Sequence, residues 1–272
     1  MSRNSGLFAN CAESKASETA TGSWFSNAFS PRKSVIQIHF PKRNMTLSYY
    51  NDQFDLKRGD FVYVDGKLEG ILGRVIDVNY NFKINLSEYQ RVIATVDTEV
   101  HGQFFLAGSH FVTFDPAVLP VEKIEAWFKA PCSEDDEIVS GTDDTSFPLD
   151  NLNEMNVSYA VFQRGRDYYF ENKVKYLCVD DTHGRAFVEG TKNYDVEFDY
   201  YNGEISALTC SCFCNGGCKH EVAAMLQLRE LLECILKHYQ EEYNDTGYFA
   251  AVQTGTLFQF AIDGKETGRF TI

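Results

Sequence analysis

The chain has 272 residues, of which 44% are apolar and 14% aromatic, enough for a sizeable core and too many for wholesale disorder. No run approaches the roughly 20 apolar residues that cross a bilayer. Residues 1–30 lack the apolar centre of a secretory signal, so the expectation is a soluble cytoplasmic protein. The net charge of −14 argues against phosphate binding, but it is unevenly placed. Residues 131–157 hold eight acidic and no basic side chains, whereas residues 31–130 hold twelve of each, so the overall charge describes that stretch more than its flanks.

Four regions follow in chain order. Residues 1–30, rich in Ser, Ala, Thr and Asn, read as a flexible N-terminal segment. Residues 31–130 read as a β-rich domain, with strands expected at 35–40, 47–50, 61–64, 70–78, 92–100, 104–106 and 111–114. Asp65-Gly66 and His101-Gly102 mark turns between them. The glycine spacing over 56–75 resembles that of SH3-like barrels, and a short helix is expected over 120–129 behind Pro120. Residues 131–157 read as an acidic, exposed linker.

Residues 158–272 form the last region. A strand pair is expected over 168–179, then strands at 185–189 and 194–198, the turn Asn202-Gly203, and a strand at 205–209. Residues 221–232 contain no Gly or Pro, and Val222, Met225, Leu226, Leu228, Leu231 and Leu232 make a broad apolar stripe, so a helix is expected there. A closing hairpin is expected from 257–262 through Asp263-Gly264 to 269–272.

Eight cysteines in an intracellular chain point away from a disulfide framework. Four of them fall between Cys210 and Cys218, while Cys11, Cys132, Cys178 and Cys234 are scattered. Cys210 and Cys212 end a strand, Gly216 and Gly217 permit a tight reversal, and Cys218 and His220 open the helix. That order can bring three sulfurs and one imidazole to a single ion, and zinc favours such a tetrahedral set. Cys214 makes the run C-x-C-x-C and is an alternative to Cys210 or Cys212 as a ligand. A reactive or disulfide-forming cluster is the reading without metal.

The spacing C-x-C, five residues, C-x-H, followed by an apolar helix, resembles the SWIM-type zinc finger of SWI/SNF-type ATPases and MuDR transposases. Lys219 between Cys218 and His220, the Val222-Ala223-Ala224 helix start and the upstream Val188-Glu189-Gly190 and Tyr194-Asp195-Val196 also fit it. The resemblance covers roughly residues 165–235. It implies a ββα finger with a structural zinc ion on Cys210, Cys212, Cys218 and His220. It also implies a nucleic-acid-associated binding module, working beside a helicase-like ATPase on a separate chain. The alternative is a protein–protein interaction adaptor. Arg164, Arg166, Lys173, Lys175, Arg185 and Lys192 would form a basic strip in the first reading. No nucleophile–base pair accompanies His39, His101, His110 or His183, and Gly66 to Gly73 lacks the Lys of a phosphate loop, so no enzyme and no small-molecule substrate are expected. The fold class expected is α+β, a β-rich N-terminal domain followed by a small sheet carrying the finger.

Overall fold

The computed structural model describes residues 31–131, 145–214 and 216–262. Its first strands are β1 (Ser34–Phe40), β2 (Met45–Asn51), β3 (Phe61–Val64), β4 (Gly73–Asn79) and β5 (Val92–Val96). They form an antiparallel sheet in the order β2-β1-β4-β3-β5. Inward side chains of these strands, Ile36, Ile38, Phe40, Val62 and Val64 among them, make a small core of their own. The sheet curls until its two end strands meet, but only the Tyr50–Arg91 bridge joins them. Closure of the expected barrel goes no further than that bridge.

The next strands are β6 (Phe105–Ala107), β7 (His110–Thr113), β8 (Phe147–Pro148), β9 (Val174–Asp180), β10 (His183–Glu189), β11 (Asn193–Tyr201), β12 (Glu204–Cys210) and β13 (Tyr248–Gln253). They build an eight-stranded antiparallel sheet in the order β6-β7-β13-β9-β10-β11-β12-β8. The helices are α1 (Val121–Phe128), α2 (Tyr159–Phe170), α3 (Lys219–His238), α4 (Gln240–Thr246) and α5 (Thr254–Leu257). The chain is therefore mixed helix and sheet, as expected.

Both faces of the larger sheet are covered. On one face Leu177, Val179, Ala186, Val188, Val196 and Phe198 pack against the buried stripe of α3, including Val222, Met225, Leu228 and Leu231. On the other, Tyr176, Phe187, Ala250 and Val252 meet Ile124 and Trp127 of α1, Leu257 of α5, and Phe61 and Tyr63 of the smaller sheet. Strands buried on both faces read as continuous apolar runs rather than alternating ones. That is why β13, Tyr-Phe-Ala-Ala-Val-Gln, carries no period-two signal.

Four expectations change. The sheets divide between β5 and β6, so the end of the 31–130 stretch belongs to the larger sheet. Within the stretch expected as an exposed linker, Phe147, Leu149, Leu152 and Met155 are buried in the α3-side core; residues 132–144, like 1–30, lie outside the described residues. In place of a strand pair over 168–179 there is one strand, β9, preceded by α2. Ser158 caps α2 by accepting the Val161 N–H at 3.3 Å, and tertiary packing on α3 overrides its aromatic-rich composition. Residues 257–262 coil instead of extending: Gln253 accepts the Thr256 N–H at 2.8 Å, and Phe260 stacks on Trp127 at 4.6 Å. The return strand at 269–272 lies outside the described residues. The Asn202-Gly203 turn is as expected, both residues holding positive φ (49° and 86°) between β11 and β12.

Two features have measurable consequences. A Cβ on Gly165 of α2 would come within 2.4 Å of the Val222 side chain and 3.0 Å of the Lys219 carbonyl, so glycine sets the approach of α2 to α3. Gly165→Val should destabilise the protein by about 1–3 kcal/mol in urea unfolding; parental stability would mean α2 can shift freely. His110 is fully buried, its Nε2 bonded to the Val174 carbonyl at 3.1 Å. Burial lowers its pKa to about 4, the hydrogen bond to Val174 opposing and the charge of Lys175 adding to the fall. Between pH 6.5 and 4 the unfolded chain takes up a proton that the folded chain refuses. Stability should therefore fall by about 3 kcal/mol as pH drops through that window. A His110→Gln variant should lack this component, and parallel stability curves for the two proteins would refute it.

Candidate metal centre

The cysteine hairpin begins where β12 ends. Cys210 pairs with Val196 of β11. One residue on, Ser211 donates its N–H to the Asp195 carbonyl at 2.8 Å, and its hydroxyl accepts the Asp195 N–H at 2.9 Å. This double bond to β11 ends the strand and turns the chain. Gly216, at φ 87°, lies in the reversal between the two ligand pairs. The chain then enters α3 with Cys218 as its N-cap and His220 in the first turn. The Cys218 N–H donates to the Glu221 carboxylate at 2.7 Å, which fixes the direction of entry.

The structure brings all four expected residues together. The ligand atoms of Cys210, Cys212, Cys218 and His220 lie within 4.8 Å of one another. His220 Nδ1 stands 3.7 Å from Cys210 Sγ and 3.6 Å from Cys218 Sγ. A tetrahedral ion with metal–sulfur bonds of roughly 2.3 Å and metal–nitrogen bonds of roughly 2.0 Å spaces sulfur and nitrogen about 3.6 Å apart. The residues present therefore fit a metal ion. Cys214 is exposed and stands outside this group of four. Cys178 is core, and Cys234 sits half-buried on α3.

The electrostatics of the thiols fit the same reading. Hydrogen bonding from Cys210 pulls the Cys218 thiol down to about 4 against the effect of burial, with His220, the Glu221 backbone N–H and Cys212 assisting. Cys210, the donor, is driven far above the ordinary thiol range by that bond and by burial. Cys212 is pushed up to about 12 by burial and by the neighbouring Cys218. The group lies at the mouth of α3, where the helix dipole favours negative charge on these sulfurs. A dication would take the place of the thiol protons.

The imidazole is held by packing. Tyr194 stacks on His220 at 4.1 Å and Tyr168 meets it edge-on at 5.6 Å, while Nε2 is buried without a hydrogen-bond partner. Metal-bound histidines more often anchor that second nitrogen on a carboxylate or carbonyl. Lys219 turns away to Tyr168, donating to its hydroxyl at 2.7 Å.

The six basic residues expected as one strip divide, Lys173, Lys175 and Lys192 lying near the β10–β11 turn and the three arginines apart from them. Arg164 and Arg166 are exposed on α2, on the α3 side of the sheet. Arg185 faces α1 instead, bonded to Asp195 at 2.9 Å and Glu125 at 3.1 Å, with Lys129 completing the network to Asp195 at 2.8 Å. Burial pushes the Asp195 carboxyl up, but its bonds to Arg185 and Lys129 outweigh this and hold it below the usual carboxylate range. Lys173 and Lys175 reach Glu189 at 3.6 and 3.4 Å. Among the histidines, His39, His101 and His183 are at the surface, beside Thr46, Glu99 and Asp199.

Sequence reasoning missed what the smaller sheet contributes. The β1–β2 turn and the turn at Gly66–Leu68 bring Lys42, Arg43 and Lys67 to the rim of a cleft of about 1620 Å³. The cysteine hairpin, including Cys212 and Phe213, forms the opposite wall, and α1 and β11 lie between. No local pattern announces this arrangement, because it depends on how the two sheets meet. No described helix is long and apolar enough to cross a membrane. No protein-family model, curated protein or solved structure matches this chain.

Proposed function

We propose that the protein is a non-enzymatic binding module organised by one structural zinc ion. The carrying observation is the convergence of three sulfurs and one imidazole nitrogen within 4.8 Å at the β12–α3 junction. A soft, closed, four-ligand set suits zinc and leaves no position for water or substrate, so the ion would hold the fold rather than do chemistry. Three thiolates, a neutral imidazole and Zn²⁺ sum to one negative charge, which the N-terminus of α3 offsets in part. The C-x-C, five residues, C-x-H spacing supports a SWIM-type finger, and with it a nucleic-acid-associated role beside a helicase-like ATPase on another chain. Support from the surface is the set of cations lining the cleft, Lys42, Arg43, Lys67 and Lys192, interspersed with Glu69, Glu154 and Glu189.

A protein-interaction adaptor is the second reading. The observation favouring it is α2, which leaves Tyr159 79% and Phe170 65% exposed three turns apart on one side of the helix.

Metal analysis of the purified protein should return one zinc per chain. Chelation should unfold the hairpin and the start of α3, seen as lost helical circular dichroism, because binding and local folding are coupled in such sites. Cys218→Ser should abolish zinc retention, whereas Cys214→Ser should leave it unchanged. An unchanged helical signal after complete zinc removal would overturn the structural role.

A further inference from the structure

Phe213 is the most exposed large hydrophobic side chain among the described residues, at 97%, and it lies in the cysteine hairpin. It is not isolated. Lys192 Nζ lies 5.5 Å above its ring and 5.8 Å above the ring of Tyr194, which itself stacks on His220. The ring–cation–ring unit therefore rests on one of the four grouped side chains. Beside it the β10–β11 turn carries Glu189, one carboxylate facing Lys173 at 3.6 Å and Lys175 at 3.4 Å. Burial pushes the Glu189 carboxyl up, yet Lys175, Lys173 and Lys42 together hold it below the usual range, so Lys42 of the smaller sheet reaches the same patch. Lys42, Lys173 and Lys175 thus surround one carboxylate, Glu189, near the β10–β11 turn, and Lys192 of that turn meets the exposed ring of Phe213. The cleft behind it, about 1620 Å³, exceeds the roughly 300–1,000 Å³ of small-molecule pockets.

We propose that this rim takes a single-stranded polynucleotide, one base stacked on Phe213 and the phosphates following Lys192 and Lys42. The proposal rests on the nucleic-acid reading above and sharpens it. Duplexes hide their base faces, and only unpaired bases offer a π-surface to an exposed ring. An acidic peptide would match the lysines but has no use for that ring. Backbone contacts supply salt-dependent affinity, and stacking is tolerant of sequence.

The test is fluorescence anisotropy with labelled oligothymidylate and oligouridylate of about 15 nucleotides, a duplex of equal length, and polyglutamate as competitor. Zinc-loaded full-length protein is used throughout. Expected is saturable binding of the single strands, tighter than the duplex, weakening as salt rises. Phe213→Ala should weaken binding about 5- to 100-fold, the range for losing one base–aromatic stack, while Phe213→Trp restores it. Lys192→Ala should also flatten the salt dependence. Circular dichroism and zinc content should match the parent in all three variants, since both side chains are exposed. Single-strand binding indifferent to Phe213 and Lys192 would overturn this site while leaving the nucleic-acid module standing. Preference for the duplex, or displacement of the oligonucleotide by polyglutamate at lower concentration, would also overturn it. No binding of any nucleic acid at low salt would remove both readings.

Discussion

Burial of α3 against the larger sheet sets the position of nearly everything that matters in this protein. Most of its apolar side chains are inaccessible, among them Val222, Ala223, Ala224, Met225, Leu228, Leu231 and Ile235. A helix anchored this way cannot slide or rotate without opening the core. Cys218 and His220 sit on its first turn, so the packing that stabilises the sheet also aims two of the four ligand groups. Of the other two, Cys210 ends β12, whose register against β11 is set by the same core, and Cys212 follows two residues on. Core packing thus sets where α3 and β12 lie, and the four-ligand group joins the loop after β12 to the first turn of α3, the part that would depend on the ion.

Asp195 links this junction to the rest of the molecule. Its backbone grips Ser211 and ends β12; its carboxylate joins Arg185 of β10 and Lys129 at the end of α1. A buried acid held by two cations is costly to break from either side. The cleft floor holds Asp195, Glu125 and Lys129 in that network, and Lys42, Lys67 and Lys192 reach its lining from turns, where Glu69 and Glu189 accompany them. Turns of two different sheets supply the rim, so their relative placement decides whether those charges act together.

Local patterns in the chain spoke clearly where a single element carries its own physical signature. The stripe of Val222, Met225, Leu228 and Leu231 dictates a buried helix, the Asn-Gly pair at 202–203 dictates a tight hairpin, and the ligand spacing dictates a common metal group. Signals failed where neighbours decide. The α2 segment has aromatic residues and a central glycine, poor helix credentials, yet it is helical because Gly165 lets it lie against α3. Residues 257–262 are apolar enough for a strand but coil so that Phe260 can stack on Trp127. The acidic content around Asp150 and Glu154 masked Leu149, Leu152 and Met155, which are core.

Local sequence alone determined that Cys210, Cys212, Cys218 and His220 form one group and the order strand, pair, turn, pair, helix, because their convergence within eleven residues depends on chain-local spacing and little else. Tertiary structure alone decided that Cys214 is exposed, that Arg185 turns to Asp195 and Glu125, and that Lys42 and Lys67 line the same cleft as Phe213. Each of those outcomes depends on contacts between segments far apart in the chain, whose pairing follows from burying two sheet faces at once and leaves no periodic trace in either segment.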